Sequence, residues 1–121
     1  MDEKLISNYF QDAGYKTHLI GKWHLGHFAK KHTPTRRGFD TFYGYYNGLV
    51  DYYSFEFIQG GFEPGYDFRR NFDVNYDTKN GTYATDLFTD EAVDIIESHA
   101  DSSKPMFLML NHLARKQLLM R

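Results

Sequence analysis

Cysteine is absent from the 121 residues, which excludes a disulfide framework, a thiolate metal site and a cysteine nucleophile within this chain. Long apolar runs are missing too. No stretch approaches the roughly 18 to 20 residues that span a bilayer, and residues 1–13 have neither the basic start nor the continuous apolar centre of a signal peptide. Charge of one sign is not in excess either. Fourteen Lys and Arg against 16 Asp and Glu leave a formal charge of -2, which gives no basis for nucleic-acid binding or a polybasic membrane contact. There is no internal repeat or low-complexity segment, and the length suits one modest domain, or part of one.

Aromatic residues are abundant. They make up 18% of the chain, with 10 Tyr and 11 Phe, and most lie between Phe39 and Tyr83, so this middle is not a disordered tail. Ahead of it, Leu5, Ile6, Tyr9, Phe10 and Ala13 recur at helical spacing after a candidate N-cap at Asp2, and Gly14 supplies a stop. Tyr15 to Ile20 is rich in β-branched and aromatic residues and alternates only loosely, which suits a strand buried on both faces. Residues 27–82, dense in Gly, Asn, Asp and Tyr, predict irregular structure with short strands at most. A second amphipathic helix is expected over Tyr83 to Ser98, with Asp86, Asp90 and Glu91 toward its start. A turn at Ser102 to Pro105 then leads to an interior strand, Met106 to Leu110. The fold class is therefore α/β, with interior strands flanked by amphipathic helices and a long aromatic-rich irregular middle. Two helices and two strands leave one sheet face uncovered and more aromatic surface than they can bury, as in a piece of a larger domain.

The stretch Gly21-Lys22-Trp23-His24-Leu25-Gly26 closes the first strand, at the end where open α/β sheets place ligands. Lys22 and His24 stand two apart, so on an extended backbone both project to one face about 6 to 7 Å apart, and an ammonium and an imidazole could contact one tetrahedral oxyanion. A bare Lys-x-His pair is equally the pattern of a solvated lysine beside a structural histidine. Trp23, between them, is expected to pack on the opposite side of the strand. His18 within the strand reads as a packed or hydrogen-bonded histidine.

The longer string, Gly14-Tyr15-x-Thr17-x-x-x-Gly21-Lys22-Trp23-His24-Leu25-Gly26, resembles the second signature of the sulfatase family. The likeness continues through Pro34-Thr35-Arg36-Arg37-Gly38-Phe39-Asp40, Tyr43-Gly44-Tyr45, Asp51-Tyr52-Tyr53-Ser54 and Lys104-Pro105-Met106-Phe107-Leu108, and is most similar to the arylsulfatase B group. It implies part of an alkaline-phosphatase-like fold, with residues 1–114 belonging to a sulfatase N-terminal catalytic domain and 115–121 a divergent tail.

By this resemblance the intact enzyme is a sulfuric ester hydrolase acting on sulfated sugars of glycosaminoglycans, or on aryl sulfates. Lys22 contacts the substrate sulfate, and His24 contacts the catalytic formylglycine hydrate and assists its turnover; both are catalytic residues. Formylglycine is made from a Cys/Ser-x-Pro-x-Arg signature expected upstream, ahead of Met1. His32-Thr33-Pro34-Thr35-Arg36 has the Pro-x-Arg part with His in the nucleophile's place, and matches a different, downstream stretch of the family. The family's Ca²⁺ takes its ligands from segments with no match here, so no metal ligand is expected in this chain, and Asp40, Asp51 and Asp86 are read as turn or surface carboxylates. A further substrate-side histidine of the family would fall at Lys116, with His112 nearby but out of register.

Asn80-Gly81-Thr82 is an N-glycosylation sequon, in keeping with the lysosomal or secreted location the resemblance implies. The isolated chain is expected to be inactive. The alternative is a non-catalytic isoform that binds sulfated glycans or pairs with an intact sulfatase through the aromatic surface of residues 39–83.

Overall fold

The strand expected after Gly14 lies inside a mixed sheet. A computed structural model describes residues 3–57, 63–76 and 81–113. Among these the elements run α1 (Ile6–Asp12), β1 (Lys16–Lys22), two 3-10 turns (Lys30–His32 and Pro34–Arg36) and β2 (Thr41–Tyr45). The short strands β3 (Glu56–Phe57), β4 (Gly65–Tyr66), β5 (Arg69–Arg70) and β6 (Asp73–Val74) follow, then α2 (Ala84–His99) and β7 (Met106–Asn111). Five strands form one sheet in the order β6-β5-β2-β1-β7, and β3 pairs with β4 in a separate ribbon. β1 is parallel to both of its neighbours, β2 and β7, and β5 joins β2 antiparallel.

α1 is shorter than the periodicity suggests. It starts after Leu5, whose N–H donates to Asn8 Oδ1 at 3.0 Å, and Asp2 lies outside the described residues. Its end is the expected one: Gly14 has φ +87°, Gly14 N–H donates to Gln11 O and Tyr15 N–H to Phe10 O, both at 3.0 Å, a glycine-terminated Schellman cap. The second helix falls where the pattern puts it, and so does the last strand along the chain, but β7 is an edge strand of the described sheet, beside β1, and not an interior one. Thr17, fully buried, ties β1 to the start of β2: its N–H donates to Asp40 Oδ2 at 2.9 Å and its Oγ1 accepts from Asp40 N at 3.0 Å.

The middle of the chain is mostly irregular with very short strands, as expected, and departs from expectation at β2. Thr41–Tyr45 is an interior parallel strand in register with β1, from His18 opposite Thr41 to Lys22 opposite Tyr45. Its rings are not surplus surface. Ile20, Tyr43, Tyr45, Phe55 and Phe68 pack with Phe88 of α2 on one sheet face, while Leu19, Trp23, Phe39, Phe42 and Tyr46 pack on the other, with Leu5 ahead of α1 and Phe107 of β7. Phe39, Phe42, Tyr43, Tyr45, Tyr46, Phe55 and Phe68 are each 8% exposed or less, so these rings of the middle are core, while Tyr53 and Tyr76 stay exposed. Full burial of one such ring stabilises by roughly 1.5 to 3 kcal/mol, enough that the chain folds its loops inward. No helix among the described residues is long and apolar enough to cross a membrane.

Candidate functional site

The site begins where three parallel backbones crowd together. Gly21 has φ +97°, and a Cβ there would lie 2.2 Å from Asn111 O of β7; a Cβ on Gly44 of β2 would lie 2.0 Å from Gly21 O. Only glycine fits both points. The next residue, Lys22, ends β1, and its carbonyl accepts from Asn111 Nδ2 at 2.9 Å. Pairing with the neighbouring strand β2 continues past the end of β1, Trp23 N–H donating to Tyr45 O and His24 N–H to Tyr46 O, both at 3.0 Å.

Trp23 turns to the α1 side as expected. It is 7% exposed, and its Nε1–H lies 2.9 Å from Gly26 O and 3.1 Å from His32 O, which pins the Lys22–Gly26 loop to the turn at His32. His24, by contrast, has φ +56°, a left-handed conformation uncommon outside glycine. Extended alternation therefore does not bring Lys22 and His24 together. Instead the chain bends at His24 and both side chains meet the loop after β2: Lys22 Nζ donates to Gly48 O, and a Cβ on Gly48 would lie 2.6 Å from His24 Nε2. The result is an ammonium and an exposed imidazole converging on one glycine at the carboxyl end of the sheet.

That glycine follows a turn gripped by Asp67, whose Oδ2 accepts from Tyr46 N at 3.0 Å, Asn47 N at 2.8 Å and Asn47 Nδ2 at 2.6 Å. Gly48, Asp67 and Asn111 escape a reading of the sequence. The Asn47-Gly48 dipeptide signals a turn, but nothing local marks Asp67 or Asn111 as neighbours of residues far away in the chain. His112 follows Asn111 and so also sits, exposed, at the carboxyl end of the sheet. Lys116 and Asn80 lie outside the described residues.

The histidine of His32-Thr33-Pro34-Thr35-Arg36 is 5% exposed, stacks on Phe28 at 4.5 Å, and has neither ring nitrogen hydrogen-bonded among the described residues. Burial, with Lys31 and Arg37 nearby, pushes its pKa below the ordinary 6.5. The folded state then binds fewer protons than the unfolded one, so stability is full above about pH 6.5 and falls as the pH drops below it. Thermal melts from pH 8 to pH 5 should show that fall, and His32→Phe should flatten it. A residual slope is expected from His18, whose pKa is also lowered by burial and whose Nδ1 sits 2.7 Å from Thr41 Oγ1. An identical slope in His32→Phe would contradict the assignment.

The described residues do not fit a Ca²⁺ site. Asp40 is committed to Thr17 and Gln11, and hydrogen bonds from Thr17 and Gln11, with Lys16 nearby, hold its carboxyl below the usual range against the opposing effect of desolvation. Asp51 accepts from the backbone N–H of Tyr53 and Ser54 at 2.9 and 2.8 Å, and Asp86 lies in the first turn of α2. Among the described residues no three His, Cys, Asp or Glu side chains group so as to hold a metal ion.

Comparison with known proteins gives a concordant result. The sequence model described as Sulfatase matches residues 2–114. Arylsulfatase J of Mus musculus is 38% identical over 114 residues, 94% of this chain and 19% of that protein. N-acetylgalactosamine-6-sulfatase of Mus musculus is 32% identical over 111 residues, 88% of this chain and 21% of that protein. The crystal structure of Ps i-CgsB in complex with k-i-k-neocarrahexaose matches with a TM-score of 0.77 and 26% identity, covering 99% of this chain and 28% of that one. The chain thus spans about a fifth of the length of these curated relatives.

Proposed function

Since this chain belongs to the sulfatase family and has its alkaline-phosphatase-like α/β fold, we propose that it carries the sulfate-facing edge of a sulfuric ester hydrolase, with Lys22 as the clamp on the sulfate and His24 as its proton-handling partner. The observation that carries this reading is the convergence of the Lys22 ammonium and the His24 imidazole on Gly48. Cleavage of a sulfate ester spreads negative charge over the equatorial and leaving oxygens, and a cation held in place beforehand lowers that barrier without reorganising. Imidazole donates or accepts a proton near neutral pH, which suits His24 to the oxygens beside the clamp.

The substrate class is sulfated sugars, glycosaminoglycans in particular. A relative named N-acetylgalactosamine-6-sulfatase and a structural neighbour crystallised with a neocarrahexaose support that direction. Passage through the secretory pathway to the lysosome or outside the cell, glycosylation at Asn80 and Ca²⁺ held by other segments of the intact enzyme complete the proposal.

The 121 residues contain no Cys and no Ser-x-Pro-x-Arg from which a formylglycine could be made. The isolated chain should therefore hydrolyse a chromogenic aryl sulfate no faster than buffer. Turnover by the purified chain that disappears in Lys22→Ala would contradict this.

A further inference from the structure

We infer that Asp67 is the positioning residue of this site: its carboxylate fixes the loop that presents Gly48 to Lys22 and His24. The binding consequence rests on the proposed role of those two residues, whereas the positioning itself does not.

Asp67 is 2% exposed, and a carboxylate buried to that degree persists only where donors replace its water. The donors to Oδ2 all come from one place. Oδ2 takes the backbone N–H of Tyr46 and of Asn47 and the side-chain amide of Asn47, at 3.0, 2.8 and 2.6 Å, the last a short charge-assisted bond. Oδ1 faces Arg69 Nε at 3.4 Å, and the Arg69 guanidinium lies 4.7 Å over the Tyr46 ring. Tyr46 is held again by its own hydroxyl, which donates to Asn71 O at 3.1 Å, and by stacking on Phe42 and His27. Asp67 in turn donates its N–H to Phe55 O at 3.0 Å, so the grip is anchored in the aromatic core. The first residue free of this grip is Gly48, where Lys22 Nζ and the His24 ring arrive. Asp67 itself is too enclosed to meet a substrate, which makes it a positioning residue and not a catalytic one.

The test uses NMR of the 121-residue chain with labelled imidazoles, comparing wild type, Asp67→Ala, Asp67→Asn and Gly48→Ala. In Asp67→Ala the His24 ring signals and titration midpoint should move, those of His18 at the far end of β1 should stay, and the Kd for inorganic sulfate should rise roughly tenfold. Asp67→Asn keeps a carbonyl acceptor for the two backbone donors and should recover part of both effects. Gly48→Ala leaves Asp67 intact and, with no positive φ to strain, should displace His24 through its Cβ alone. Should Asp67→Ala lose the fold, Asp67→Asn carries the test, and Gly48→Ala shows what a displaced His24 looks like. Unmoved His24 signals and titration in the folded variants overturn the inference. Moved His24 signals in a chain whose wild type binds no sulfate uphold the positioning and overturn the clamp.

Discussion

Gly21→Ala is expected to destabilise the chain by on the order of 2 to 5 kcal/mol. Two costs add at this position. A left-handed φ of +97° strains any side chain, and the new Cβ would sit 2.2 Å from Asn111 O, a backbone atom that can move only by opening the β1–β7 pairing. Gly14 separates these costs, because its φ is +87° but nothing lies within 4 Å of a Cβ there. Gly14→Ala should lose only the conformational part, roughly 1 to 2 kcal/mol. Urea denaturation of both variants decides the matter: equal losses would mean that the three-strand contact beneath Lys22 is not what requires glycine.

Lys22→Met should weaken sulfate binding by about ten- to a hundredfold, the loss of a hydrogen-bonded charge worth roughly 1.5 to 3 kcal/mol. Methionine keeps the apolar stem, so packing beside the sheet is retained while the charge goes. Binding by the wild type should also fall with added chloride salt, since the attraction is partly screened. A Lys22→Met chain that binds sulfate as well as wild type, measured by calorimetry at low ionic strength, would remove the clamp.

The parts of the fold that could be read in advance are those whose cause is local. The Gly14 stop, the β1 run, the α2 periodicity and the apolar β7 run each announce themselves within a few residues. β2 does not. Its rings are buried on both faces, which erases the alternation of a half-exposed strand, and Gly44 within it imitates a loop. That glycine is there because the neighbouring strand's backbone comes within 2.0 Å of where its Cβ would be, a fact of tertiary approach invisible in one segment.

The site divides the same way. Lys22 and His24 were legible as a pair, yet the geometry that joins them was not. It depends on a left-handed turn at His24 and on parallel registry with β2, which brings in Gly48, 26 residues beyond Lys22. Asp67 is further removed still. A single aspartate between short strands has no sequence mark that distinguishes it from the turn carboxylates Asp40 and Asp51.

On the proposed reading, the carboxyl end of β1 binds a tetrahedral sulfate between Lys22 and His24. An amide and side-chain shift map of the 121-residue chain titrated with inorganic sulfate tests it most directly. The predicted result is a saturable change confined to Lys22–Gly26 and Tyr46–Gly48 that disappears in Lys22→Met. Changes centred instead on the surface cations Lys30, Lys31 and Arg36, and unaltered by that substitution, would contradict it.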